Sequence, residues 1–182
     1  KRVRIPFVLS LVNFPKPEKC LFRDFPDVFD PVYEELSREH AKQLLPYREE
    51  PLLIGYFLTN EPEWLFQDVS LARLMLREHT APFARRAFIQ AMREKYGRVE
   101  DMNRAWQAEF VSFEALDQPV PDAFMRSPQA IADLTAFDAR MIRLYAEIPS
   151  RALRAAAPHH LNLGMRYSAF KARAAAGYEH YD

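Results

Sequence analysis

Asn60 and Glu61 form the pair of residues in this sequence best suited to chemistry. They follow LLIGYFL, residues 52–58, a continuous apolar run typical of a strand that is buried on both faces in a parallel sheet. Catalytic groups gather at the carboxyl ends of such strands. Glu61 could act there as a general acid and base, Asn60 could donate a hydrogen bond to a substrate hydroxyl, and Trp64 could offer a flat face to a sugar ring. An equally good structural interpretation is that Asn-Glu-Pro only caps the segment that follows.

The segments before this pair alternate between strand and helix. A β-branched run at 3–12 predicts a buried strand, in which Pro6 argues against a central hydrogen-bonded position. Asp30 and Pro31 predict the start of a helix, as N-cap and first helical residue, and Pro46 predicts its end. Strand, helix and strand in this order predict a right-handed βαβ unit with a parallel sheet.

The segment 22–30, FRDFPDVFD, lies in a long Pro-rich loop between the first strand and the helix. This loop leaves the carboxyl end of the strand, where parallel α/β folds bind their ligands. Two interpretations therefore stay open. The segment lines a substrate cleft, or its phenylalanines only plug the end of the fold.

Helices and one further strand are predicted after the Asn-Glu pair. The helices are expected at about 82–96, with Gly97 as the residue that ends it, at about 99–108, at about 129–157 and around 170–177, and the strand is expected at 161–168. The alternation predicts an α/β fold without an internal domain boundary. Three strands cannot close a barrel, and a complete one needs about 250 residues. We therefore expect the chain to be the middle of a larger domain.

Other residues are weaker candidates for the same site. Arg166 and Tyr167 end the strand predicted at 161–168 and should face the same edge of the sheet as Glu61. Arg166 could bind a sugar hydroxyl or orient a second catalytic group, or it could form a salt bridge to an acid at the rim. Glu63 is a further rim candidate. Trp106 lies at helical spacing from other apolar residues, which favours a core position.

Composition argues against several classes of function. Lys+Arg and Asp+Glu both number 25, so no basic face for nucleic acid is expected. The absence of an apolar run of roughly 20 residues argues against a membrane span. Cys20 is the single cysteine, and the histidines lack metal-ligand spacing, so neither a metal nor a cofactor is predicted. No serine lies in a Gly-x-Ser-x-Gly elbow. No signal-peptide pattern is visible, and the missing initiator Met suggests a fragment.

Three segments resemble one group of enzymes. GYFLTNEPEW, residues 55–64, resembles the Asn-Glu signature of clan A glycoside hydrolases, in which this Glu ends the fourth strand of a TIM barrel. REKYGRVEDMNRAWQAEFVSFEAL, 93–116, resembles the KYG…LN.AWG…F.S segment of the β-galactosidase-like and β-agarase-like branches, families 42 and 50. HHLNLGMRYS, 159–168, resembles the fifth strand of the agarase-like branch. Gln107 replaces a usual Gly, which affects only the local turn.

The resemblance implies that residues 1–182 are the central part of one (β/α)8 TIM-barrel catalytic domain, from about the third to the fifth strand unit. It implies a retaining O-glycosyl hydrolase for a β-linked, galactose-containing oligo- or polysaccharide. Glu61 would be the acid/base, and Asn60 would bind the sugar 2-hydroxyl. Such an enzyme needs a nucleophilic carboxylate about 5–5.5 Å away. The family places it on the seventh strand, beyond Asp182, so the isolated segment is expected to be inactive.

Two other classes of function stay open. A catalytically incompetent barrel fragment, or a carbohydrate-binding remnant, could keep rim aromatics such as Trp64 and lack one carboxylate. A different barrel enzyme could use a strand-end Glu to abstract a proton. That chemistry usually recruits a Lys or a metal ion near the site, and no ligand cluster is visible in the sequence.

Overall fold

The computed structural model describes residues 4–167 and 172–182. Its sheet is parallel, in the order β1-β2-β3, with strands at Phe7–Ser10, Leu53–Phe57 and Leu161–Asn162. The α-helices are α1 at Pro31–Ala41, α2 at Leu71–Glu78, α3 at Pro82–Tyr96, α4 at Val99–Trp106 and α5 at Pro128–Ala156. Short 3-10 helices lie at Lys42–Tyr47, Glu63–Phe66, Phe113–Asp117, Asp122–Met125 and Ala172–His180. The predicted α/β fold with a parallel sheet is therefore confirmed.

The first strand is shorter than the run 3–12 that predicted it. Its pairing with β2 begins directly after Pro6, where the N–H of Phe7 donates to the carbonyl of Leu52 at 2.9 Å. Pro6 has no N–H of its own, so the ladder cannot include a bond from this residue. Val3, the first residue of the predicted strand, lies outside the described residues.

The local helix signals are confirmed. The carboxylate of Asp30 accepts a hydrogen bond from the N–H of Val32 at 2.9 Å, and Pro31 is the first residue of α1. Helix α3 ends before Gly97, whose φ of 71° lies in the region that favours glycine. The chain after α1 tightens into the 3-10 helix that contains Pro46, where the helix was predicted to end.

Helix α2 was not predicted from the sequence. It is capped by Ser70, whose hydroxyl accepts from the N–H of Arg73 at 3.1 Å. A helix of eight residues is marginal without tertiary packing. That packing comes from α5, where the Asp138 carboxylate accepts from the N–H of Ala72 at 2.7 Å. A contact between positions so far apart in sequence leaves no local signal.

The third strand is interrupted where a longer one, 161–168, was predicted. Gly164 has a φ of 74°, so the ladder between β2 and β3 becomes irregular there. The chain then pairs again, because Arg166 and Asn60 form an isolated parallel bridge. Ser168 lies outside the described residues, as do residues 170 and 171 of the predicted last helix.

Helices cover one face of the sheet and leave apolar side chains exposed on the other. Tyr56 and Leu58 of the covered face are fully buried, and α5 packs across both α1 and the last 3-10 helix. On the opposite face Val8 and Leu161 both align with Gly55 and are 46% and 48% exposed. An open apolar sheet face is typical of strands that further strands cover in a larger fold.

Candidate active site

The backbone of β3 fixes the Asn-Glu pair just past the end of β2. The N–H of Glu61 donates to the carbonyl of Arg166 at 2.8 Å, and the N–H of Arg166 donates to the carbonyl of Thr59 at 3.0 Å. These two bonds lie on either side of the bridge between Asn60 and Arg166. The pair therefore stands at the carboxyl edge of the sheet, on backbone that is held by its neighbour strand.

Glu61 adopts an unusual backbone conformation. Its φ is 47°, in the left-handed region, and it precedes Pro62, which is buried. A residue with a side chain loses about 1–2 kcal/mol in this region relative to the right-handed one. The hydrogen bond to Arg166 and the buried proline hold the conformation. Such local strain concentrates at functional sites.

The side chain of Arg166 reaches back over both members of the pair. Its Nη1 donates to Oδ1 of Asn60 at 2.5 Å and lies 3.5 Å from Oε1 of Glu61. The guanidinium is 60% exposed and the Glu61 carboxylate 37%, so this ion pair contributes little stability. Its geometric effect is larger. Because Oδ1 of Asn60 accepts from the arginine, Nδ2 of the same amide remains as a donor.

Tyr167 follows Arg166 in the chain and is partly buried. Its ring stacks on Tyr178 at 5.8 Å between centroids. Burial, together with the nearby Tyr178, raises the pKa of Tyr167 to about 12, although a hydrogen bond with Tyr181 opposes the shift. The phenol is therefore neutral at neutral pH. The rim candidate Glu63 is exposed.

Trp64 does not lie at the surface, contrary to the prediction. Its ring is 1% exposed and meets Phe25 and Tyr145 edge-on, at centroid distances of 5.1 and 5.5 Å. Additional chain can only reduce this exposure further. The prediction that Trp64 binds substrate is therefore wrong, because its ring belongs to the aromatic core beneath the Asn60-Glu61 pair.

The loop 22–30 supports the segment that follows Glu61. Phe25 is fully buried, as expected if phenylalanines of this loop plug the fold. Asp24 was not predicted as a supporting residue. Its two carboxylate oxygens accept from the N–H groups of Glu63 and Trp64, both at 2.9 Å, and so cap the 3-10 helix that begins there.

His40 was also missed as a supporting residue. It is 4% exposed, and its Nε2 lies 3.2 Å from the carbonyl of Leu58, two residues before Asn60. The sequence signal was a histidine that shares one side of the predicted helix with Tyr33, Leu36 and Leu44. That pattern is common in helices and does not identify a partner.

Lys95 and Tyr96 of the KYG motif meet Trp106 at one buried carboxylate, that of Asp133. The indole Nε1 of Trp106 donates to the Asp133 carboxylate at 2.8 Å, and the hydroxyl of Tyr96 donates to the same oxygen at 2.5 Å. Lys95 pairs with the other oxygen. Trp106 is fully buried, which confirms the core position expected for it. These residues join α3 and α4 to α5.

Other acidic residues are engaged elsewhere. Glu179 pairs with Arg143 at 2.6 Å, and Asp182 pairs with Arg154 at 2.8 Å and accepts from the N–H of Asn162 in β3. Within residues 4–167 and 172–182, no three His, Cys, Asp or Glu side chains are grouped to hold a metal ion. In the same ranges no helix has the length and apolarity needed to cross a bilayer.

Solved structures share this architecture. The agarase AgWH50C aligns with a TM-score of 0.82 at 20% identity, over 98% of this chain and 28% of that one. An exo-β-agarase gives 0.78 at 21% identity, over 98% and 26%. A β-galactosidase from the haloarchaeon Halorubrum lacusprofundi gives 0.60 at 20% identity, over 88% and 24%. The fold is therefore a segment of a TIM barrel.

The family model for β-galactosidases of glycoside hydrolase family 42 matches residues 23–174. The match covers most of the chain, which therefore belongs to this family. A search of curated proteins found no match. The chain spans between 24% and 28% of the length of the three solved relatives described above.

Proposed function

We propose that residues 1–182 are the central part of a single (β/α)8 catalytic domain, from about the third to the fifth strand unit. The exposed apolar face of the sheet, with Val8 and Leu161, supports this assignment. In a closed barrel, the inward-facing side chains of the strands pack in layers against those of the other strands. The solved relatives are longer chains, which is consistent with further strand units.

The activity that we propose is hydrolysis of a β-linked, galactose-containing oligo- or polysaccharide with retention of configuration. The observation that carries the proposal is the strained, backbone-fixed Glu61 at the carboxyl end of β2. Its carboxyl group would protonate the leaving oxygen and then deprotonate the attacking water. Membership in a β-galactosidase family supports galactose as the sugar.

The neighbours of Glu61 would hold the sugar. The amide of Asn60 accepts from Arg166 through its oxygen, so its Nδ2 is available to donate to the sugar 2-hydroxyl. The neutral phenol of Tyr167 and the N–H groups of Arg166 other than the one bound to Asn60 would bind further hydroxyls. Hydrogen bonds to the 2-hydroxyl that strengthen in the transition state contribute to catalysis in retaining enzymes.

The nucleophile would lie outside residues 1–182. A retaining enzyme places it about 5–5.5 Å from the acid/base. Glu179 and Asp182, the acids nearest the end of the chain, are paired with Arg143 and Arg154. We therefore expect the isolated segment to be inactive and assign the nucleophile to another strand of the barrel.

The test is Glu61→Gln in a polypeptide that carries this chain within a complete barrel. Rates are measured on phenyl and 2,4-dinitrophenyl β-galactosides and on agar-type polysaccharide. We expect kcat/KM, which reports cleavage of the glycosidic bond, to fall by about 10²–10⁴-fold on the phenyl substrate, whose leaving group needs protonation. The kcat/KM of the dinitrophenyl substrate should be much less affected, because its leaving group departs without a proton.

Glu63→Gln is the matched control, since this exposed side chain lies two residues further on. It should keep the wild-type rate on both substrates. An unchanged rate for Glu61→Gln would remove Glu61 from the mechanism. Formation of the inverted anomer first, seen by NMR of the product, would contradict retention. Sugar binding without hydrolysis would favour the carbohydrate-binding alternative, although the burial of Trp64 removes the rim aromatic on which that alternative relied.

A further inference from the structure

His40 joins helix α1 to the ends of two strands. Its Nδ1 lies 3.1 Å from the carbonyl of Asn13, just beyond β1, and its Nε2 lies 3.2 Å from the carbonyl of Leu58, just beyond β2. The ring is 4% exposed. A buried polar ring that contacts the ends of both strands is suited to hold in place the backbone that leads to Asn60 and Glu61.

The contacts around the ring favour one tautomer. A proton on Nε2 lets this atom donate to the Leu58 carbonyl while Nδ1 accepts from Nε2 of Gln43 at 3.0 Å. A proton on Nδ1 would allow only the bond to the Asn13 carbonyl, and Nε2 would then face the Leu58 carbonyl without a hydrogen. Gln43 is itself oriented, because its amide bonds both to the N–H of Val12 at 3.2 Å and to its carbonyl at 2.9 Å. The neutral ring makes two hydrogen bonds with its proton on Nε2 and one with its proton on Nδ1, so we assign the proton to Nε2, which donates to the Leu58 carbonyl.

Burial favours this neutral form. Desolvation lowers the pKa of His40, and the hydrogen bonds that the charged ring would donate to the carbonyls of Asn13, Leu58 and Val12 only partly oppose the shift. A neutral ring leaves one N–H, and that N–H points to the backbone of the candidate site.

The carbonyl of Leu58 leaves the sheet at an irregular step. Neighbouring residues of a regular strand direct their backbone groups to opposite sides. Here the N–H of Leu58 donates to Gly164 at 2.8 Å and the carbonyl of Thr59 accepts from Arg166 at 3.0 Å, so adjacent residues both bond to the β3 segment. The chain twists between them, as in a β-bulge, and His40 binds the Leu58 carbonyl.

We propose that His40 is a positioning residue for the acid/base: its Nε2–H holds the Leu58 carbonyl in the twist that sets Asn60 and Glu61 at the sheet edge. This inference rests on the proposed function of Glu61. Loss of the bond would leave a buried carbonyl unpaired or let the twist relax, and either change would move the carboxyl group relative to the substrate.

The test compares His40→Leu with His40→Gln in the complete barrel. Glutamine places an N–H donor near the position of Nε2, whereas leucine has none. With His40→Leu we expect kcat/KM to fall by about 10²-fold on phenyl β-galactoside, as misplacement by about 1 Å does, with little change in KM. The kcat/KM of the dinitrophenyl substrate should fall much less. His40→Gln should recover most of the loss.

A general loss of structure would lower the rates on both substrates equally, and that result would overturn the proposal. Equal activity of the leucine and glutamine variants would also overturn it. If the leucine variant does not fold, His40→Asn replaces it, since this amide can reach the position of Nδ1 but not that of Nε2. Glu61→Gln is assayed in parallel. If Glu61→Gln loses as much activity on the dinitrophenyl substrate as on the phenyl substrate, the proposed function itself has failed. If Glu61→Gln shows the expected difference between the two substrates and the His40 variants do not, the positioning role has failed.

Discussion

Asp133→Leu should destabilise the protein by about 4 kcal/mol, because one buried carboxylate joins three helices. The side chain of Asp133 is 2% exposed. One oxygen accepts from Tyr96 of α3 at 2.5 Å and from Trp106 of α4 at 2.8 Å. The other accepts from Lys95 and, at 3.1 Å, from Gln129 of α5.

The magnitude follows from what each partner can do after the change. Leucine accepts no hydrogen bond, so the indole N–H of the fully buried Trp106 is left unpaired, which costs about 1–3 kcal/mol. Loss of the charge-assisted bond from Tyr96 costs about 1.5–3 kcal/mol more. Lys95 is 44% exposed and can turn to water, so its contribution is small. Asp133→Asn keeps one acceptor oxygen and should lose about half as much.

The assay is urea unfolding of the complete barrel, followed by far-UV circular dichroism at neutral pH. The midpoint should fall for Asp133→Leu, and to a smaller extent for Asp133→Asn. Asp101→Asn is the control, because Asp101 pairs with the exposed Arg104 on the surface of α4. That variant should lie within about 0.5 kcal/mol of wild type. If Asp133→Leu is no less stable than the control, the network does not stabilise the fold.

The same carboxylate makes a prediction about acid. Burial raises the pKa of Asp133, but hydrogen bonds from Lys95, Tyr96, Trp106 and Gln129 outweigh it and leave the pKa below its ordinary value of 3.8. The unfolded chain therefore takes up the proton first as pH falls. The stabilisation by the charged carboxylate is complete above its ordinary pKa and is lost as the pH falls through the lower pKa of the folded state. The stability difference between wild type and Asp133→Leu should accordingly shrink below pH 3.8.

Two further changes separate packing from function. Gly164→Ala should destabilise the protein by about 2 kcal/mol or more, because φ is 74° and the new Cβ would lie 2.6 Å from the ring of Tyr181; an unchanged unfolding midpoint would contradict this. Arg166→Leu should leave stability within about 0.5 kcal/mol, since the guanidinium is 60% exposed. It should lower kcat/KM for β-galactosides by about tenfold or more through loss of the bond to Asn60. An unchanged kcat/KM would refute this role of the bond to Asn60 and would leave Arg166 only a structural role in its salt bridge to Glu61.

The local features of this protein could be predicted from the sequence, because their causes lie within a few residues. Asp30 caps α1 through a bond to the N–H two positions later, and Gly97 ends α3 because of its own backbone freedom. The continuous apolar run 52–58 likewise indicated a strand buried in a parallel sheet. The position of Asn60 and Glu61 just past that strand followed directly.

Contacts between distant positions were decided by the tertiary structure alone. An aromatic residue after a strand is compatible with a surface site or a core, and Phe25 and Tyr145 place Trp64 in the core. Arg166 meets Asn60 across 106 positions of sequence, so no local pattern records the bond. The same holds for His40, whose helix spacing fits an apolar face, because its partners are backbone carbonyls, which every residue has. Side-chain types thus indicate possible chemistry, whereas the folded chain selects which groups meet.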